Sequence, residues 1–260
     1  MPQVEINGIK INYVFEGTGF ETIAFIHGLG ESLESWRNQI NFFSKKFKVV
    51  ALDLRGHGKS SIPKKRIEIG DFAEDVKGLL DHLGIKKAHF CGLSMGALVL
   101  FEMYKRYPDY FLSMILVASR HKFPPAQTAV LEGMSMEIIG AEVATFALAA
   151  NAPEQLKEEV AKMIAGTKKD VYIQSAEATS MLDYSELLPK IKVPTLIIVG
   201  DLDIVTPVSS AETINKSIKG SILQIIPSVG HLPNREAPEK FNNLLEEFLQ
   251  KISLGGKKNG

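Results

Sequence analysis

The chain has 260 residues, long for one average domain and short for two, so a single domain carrying an insertion suits it. Its 30 Lys+Arg against 30 Asp+Glu exclude an overall field that favours nucleic acid or an anionic membrane, while 45% hydrophobic residues suffice for a large core. Cys91 has no second cysteine to pair with, the N-terminus lacks a basic-then-apolar leader, and no apolar run reaches transmembrane length. A soluble cytoplasmic protein without a membrane partner is expected.

From the N-terminus, Val4–Ile6 and Ile9–Phe15 alternate around Asn7-Gly8 and read as a β-hairpin with a primed turn. Short apolar runs then alternate with amphipathic ones. Strands are predicted over Thr22–Ile26, Lys48–Leu52, Lys87–Cys91, Met114–Val117, Pro194–Val199 and Ile222–Ile226. Helices are predicted over Leu33–Phe43, Asp71–Leu83, Met95–Tyr107, Val208–Ile218 and Pro238–Ile252. The strands are rich in Val, Ile and Leu without clean alternation, as strands buried on both faces are. This rhythm predicts the α/β class: a mostly parallel central sheet with helices on both faces.

Residues 120–189 break the rhythm, with helical patterning and no strand between Pro124-Pro125 and Leu188-Pro189. They read as a helical cap over the sheet's carboxyl edge, inserted between core segments 1–119 and 190–253. Residues 254–260 read as a frayed tail. From the cap, Met134, Ile138 and Phe146 are candidates to face a pocket, although most apolar residues there serve helix packing.

The chemistry gathers at strand ends. In "FCGLSMGA", Ser94 lies directly after a strand and before a helix, between Gly92 and Gly96. A sharp turn there exposes the serine hydroxyl at the carboxyl edge and leaves room only for small neighbours at minus two and plus two. The competing reading is a serine that caps the following helix. As a nucleophile, a serine needs a base, and the base needs an orienting carboxylate. His231, in "VGHLPNREAPEKF", follows the last strand and can reach the same edge. "LIIVGDLDIVTP" supplies Asp201 and Asp203 after another strand, and periodicity does not choose between them. "AFIHGLGES" places Gly28 and Leu29 in a glycine-rich turn. The Leu29 and Met95 N–H groups are therefore candidates for an oxyanion hole, with Gly28 at the pocket.

Dinucleotide and phosphate loops are excluded by residue type. Leu33 and Ser61 stand where a third glycine is needed, and Asp53 stands where a phosphate loop begins with glycine. No Cys or His spacing suggests a metal, so neither metal nor cofactor is expected.

Taken together, "HGLG" at His27–Gly30, "DLRGHGKS" at Asp53–Ser60, "GLSMG" at Gly92–Gly96, "PTLIIVGDLDIVTP" and "GHLPNREAPEKF" resemble the α/β-hydrolase family. The resemblance implies the α/β-hydrolase fold, with Ser94 as nucleophile, His231 as base and Asp203, rather than Asp201, as its carboxylate. It implies a serine esterase of small to medium carboxylic esters. "LLDHLGI", "FCGLSMG" and "VLEGMSMEIIG" also resemble 3-oxoadipate enol-lactonases, which makes lactone hydrolysis the main alternative. A hydrolase-like receptor with slow turnover is a further one. A lactonase for an anionic substrate should carry a cation in its pocket, with Arg120 and Lys122 the candidates by position.

Overall fold

A computed structural model describes residues 1–256, so 257–260, the end of the expected frayed tail, lie outside the described residues. The hairpin forms from β1 (Gln3–Ile6) and β2 (Ile9–Glu16), and Asn7 and Gly8 take φ of 51° and 77°, as a primed turn requires. β3 (Thr22–Ile26) leads through a 3-10 turn at Leu33–Trp36 into α1 (Arg37–Phe43). Then come β4 (Lys48–Leu52), α2 (Ile69–His82), β5 (Ala88–Leu93), α3 (Met95–Arg106) and β6 (Phe111–Val117). α2 begins two residues before the predicted start, where the Asp71 carboxylate accepts the Glu68 N–H at 3.0 Å and caps the first turn.

The insertion holds α4 (Ala129–Glu132), α5 (Met136–Ala147), α6 (Glu154–Ala165) and α7 (Lys169–Thr179), all within 120–189. An antiparallel bridge between Lys122 and Asp183 ties its two ends together. The chain returns to the core with β7 (Thr195–Gly200), α8 (Val208–Ser217), β8 (Ile222–Ile226), the short α9 (Pro233–Glu236) and α10 (Pro238–Gly256).

Among the described residues the strands form one sheet in the order β1-β2-β4-β3-β5-β6-β7-β8. β1 and β2 pair antiparallel with their neighbours, and the rest run parallel. Every residue of β3, β5 and β7 is buried, because helices cover both faces. In β3, Ala24 and Ile26 pack on the side of Phe72, Leu98 and Phe101, whereas Ile23 and Phe25 pack on the side of Trp36, Phe43 and Phe241. Each fully buried aromatic there contributes roughly 1.5–3 kcal/mol of transfer free energy. The parallel core fixes function through direction: the loops after β3, β5, β7 and β8 all leave from one edge, beneath the cap.

Candidate active site

Ser94 joins β5 to α3 with φ 52° and ψ −112°, a strained backbone for a residue with a side chain. Hydrogen bonds over-determine it: Ser94 N–H donates to Val117 O at 2.9 Å, and its carbonyl accepts from Ala97 N–H at 3.0 Å. The flanking glycines are required by contact. A Cβ on Gly92 would lie 2.6 Å from the Gly96 carbonyl carbon and oxygen, and one on Gly96 would lie 2.8 Å from His27 O. The Ser94 side chain makes no capping bond to α3, so helix capping does not account for it.

His231 and Asp203 meet from two other loops. His231 Nδ1–H donates to Asp203 Oδ2 at 2.8 Å. The carboxylate also accepts from the Thr206 hydroxyl at 2.7 Å and from the Val205 and Thr206 N–H groups at 2.8 Å each. Burial works against its charge, but the His231 and Thr206 donors outweigh burial and hold the Asp203 carboxyl below its ordinary range. Asp201 is exposed and instead accepts from Val229 N–H at 3.3 Å, bracing the turn. Thus the carboxylate partner of His231 is Asp203, with Thr206 Oγ1 also 3.3 Å from Nδ1.

Ser94 and His231 line one cavity of about 200 Å³. Its walls are Leu29, Leu93, Val205 and Leu232 from the core, and Val143, Phe146, Ala147, Val160, Ile164 and Tyr172 from the cap; Gly28 and Glu31 complete it. No hydrogen bond joins Ser94 Oγ to His231 among the described residues, a link that is often long until substrate binds. A Cβ on Gly28 would lie 3.6 Å from Ser94 Cβ, so the turn after β3 sits directly against the serine. Neither Leu29 nor Met95 N–H has an acceptor among the described backbone bonds outside regular elements. A larger crevice of about 650 Å³ between Asn12, Arg37 and Lys162 is open to solvent and contains neither Ser94 nor His231. The smaller cavity is therefore the candidate site.

Two expected pocket residues lie elsewhere. On α5, Val143, Phe146 and Ala147 reach the cavity, Phe146 while still 44% exposed, whereas Ile138 is 51% exposed and does not line it. Met134 is half-buried against the core cluster around Trp36, outside the cavity. The two cationic candidates also miss it: Lys122 pairs with Asp183 at 2.9 Å, and Arg120 donates to Val205 O and lies over the Phe123 ring. Thr206 is not among the residues expected from the sequence, although Asp followed three residues later by Thr is a turn signature that aims donors at the carboxylate. Val160 and Ile164 are likewise unexpected in the wall, and their four-residue spacing on α6 marks a shared face.

The model of the α/β hydrolase fold matches residues 21–152. The chain belongs to the α/β-hydrolase family. It is 30% identical over 254 residues to a 3-oxoadipate enol-lactonase of Acinetobacter baylyi, covering 94% of this chain and 95% of that one. A thermophilic esterase from Thermogutta terrifontis superposes with a TM-score of 0.89 at 27% identity, over 97% of this chain and 99% of its own. The enol-lactonase of Burkholderia xenovorans gives 0.90 at 27% identity, over 96% and 100%. This α/β hydrolase therefore resembles both esterases and enol-lactonases. Among the described residues, no group of His, Cys, Asp and Glu could hold a metal, and no helix is long and apolar enough to cross a membrane.

Proposed function

We propose that the protein is a serine hydrolase that cleaves small to medium uncharged carboxylic esters through an acyl-enzyme on Ser94. His231, with Nδ1–H committed to Asp203 at 2.8 Å, presents the lone pair of Nε2 as a base for the serine proton. The Ser94 oxygen attacks the ester carbonyl, and the Leu29 and Met95 N–H groups receive the negative charge on the carbonyl oxygen. His231 then protonates the departing alcohol. Water repeats the cycle to release the acid, while Asp203 stabilises the imidazolium without taking its proton.

The observation that carries the substrate class is the cavity wall. It is apolar apart from Ser94, His231, Tyr172 and Glu31, and no Lys or Arg lines it. A carboxylate-bearing substrate would enter unpaired, which is costly in an apolar site. Its 200 Å³ is below the ~300–1,000 Å³ typical of drug-sized ligands, which favours a short acyl group. Lactone hydrolysis is the second reading, favoured by likeness to the enol-lactonases. A lactone is a cyclic ester and would use the same steps, so an uncharged lactone fits where an anionic one does not.

A p-nitrophenyl ester series run beside neutral and carboxylate-bearing lactones tests this reading. The expected result is highest kcat/KM for short acyl esters, weak or no turnover of anionic lactones, and abolition of all turnover by Ser94→Ala. Preference for a carboxylate-bearing lactone, or turnover retained in Ser94→Ala, would refute it.

A further inference from the structure

The three successive N–H groups at and around His231 are all bonded. Gly230 N–H donates to Glu236 Oε2 at 3.0 Å, Leu232 N–H donates to Glu236 Oε1 at 3.1 Å, and His231 N–H donates to Ala147 O at 2.6 Å. The same Glu236 Oε2 accepts from Ala149 N–H at 2.8 Å, just beyond the end of α5. One carboxylate thus ties both peptides beside the histidine to the cap. The backbones also touch: a Cβ on Gly230 would lie 2.5 Å from Ala147 O and 2.7 Å from Ala149 N. Val143, Phe146 and Ala147 of that same α5 form part of the cavity wall.

Resting on the esterase reading above, we infer that Glu236 is a positioning residue for His231 that couples the base to cap helix α5. Bonds to a carboxylate are stronger than neutral ones, and here they converge from the base loop and the cap on two oxygens. Its role differs from that of Asp203, which bonds the imidazole; Glu236 sets where the backbone carries the imidazole. An acyl group seated against α5 presses on the element that holds the base, so the cap and His231 move as a unit. Losing the strut lets the ring drift, and misplacement of about 1 Å at reacting groups costs on the order of a hundredfold in rate. The loss should fall on kcat, because α5 stays packed on α6, where a Cβ on Gly140 would lie 2.3 Å from Ala161 O, and keeps the wall in place without the strut.

The experiment compares Glu236→Ala, Glu236→Gln, Glu159→Gln and Ser94→Ala on p-nitrophenyl butyrate, with circular dichroism and melting temperature for each. Glu236→Ala should lower kcat about a hundredfold with KM within about threefold. Glu236→Gln keeps an oxygen for two of the donors but sets an amide NH₂ against the third, and should lose about tenfold in kcat. Glu159→Gln breaks the 3.0 Å ion pair from α6 to Arg235 without touching these bonds, and should stay within about twofold. If Glu236→Ala does not fold, Glu236→Gln decides. Unchanged kcat in folded Glu236 variants, a loss confined to KM, or an equal loss in Glu159→Gln would overturn the inference while leaving the esterase reading intact. Turnover retained in Ser94→Ala would remove that reading and the inference with it.

Discussion

His231 and the pair His27–His57 are all buried, and all stand on loops beyond strands at the same sheet edge, yet their surroundings oppose one another. His27 is spent on backbone: Nδ1–H donates to Gly28 O at 2.7 Å and Nε2 accepts from Leu54 N–H at 2.9 Å. His57 donates to Arg55 O at 3.1 Å, its Nε2 has no partner, and its ring centroid lies 5.2 Å from that of His27. Among the described residues, no carboxylate hydrogen-bonds either ring. Burial lowers the His27 pKa to about 4, and burial with the neighbouring His27 lowers that of His57 to about 3. His231 has a carboxylate on one nitrogen and a cavity before the ring. Residue type and strand-end placement are therefore shared by all three; the carboxylate and the adjoining space set the proposed base apart from the two packing imidazoles.

The sharpest break between them is in turnover. His231→Ala should lower kcat about 10⁴-fold or more, with the melting temperature shifted by only a few degrees, measured by steady-state ester hydrolysis and calorimetry. The smaller effect separates the other pair and is read in stability. Because both folded pKa values lie below the unfolded value near 6.5, the unfolded chain binds more protons as pH falls below 6.5. Stability from these histidines is thus fully present above about pH 6.5 and is lost toward pH 4 and below. Between pH 7 and 5 each should cost about 2 kcal/mol, readable in urea unfolding. His57→Leu should remove about half of that acid loss and leave kcat within about threefold. An unchanged pH dependence, or a turnover loss approaching that of His231→Ala, would erase the contrast.

The sheet was legible because its strands are buried on both faces and its hairpin carries Asn7-Gly8; both features are local in the sequence. Ser94 was legible for a similar reason, since Gly92 and Gly96 are needed within a few residues of it. The choice of Asp203 over Asp201 was not legible from periodicity, because both follow β7 and only the turn through Thr206 aims one carboxylate at His231. Likeness to the family's motif selected it, and the hydrogen bonds supply the physical reason. The cavity wall was harder still. α5 has apolar residues nearly all round, so its pattern does not tell Ile138, which misses the cavity, from Val143 and Phe146, which line it. The charges of "DLRGHGKS" serve the scaffold: Asp53 accepts from Leu33 N–H, Asn12 Nδ2 and Lys59 N–H, and Arg55 pairs with buried Asp75 at 2.7 Å. Those charges hold loops together at the edge, away from the cavity.

The most direct measurement is the rate and site of labelling by a fluorophosphonate, followed by peptide mapping. If the alcohol of residue 94 is activated by His231, one equivalent of label should appear on Ser94. The same reaction in His231→Ala should be slowed at least about a thousandfold. Label on another residue, or equal rates in the two proteins, would contradict the account.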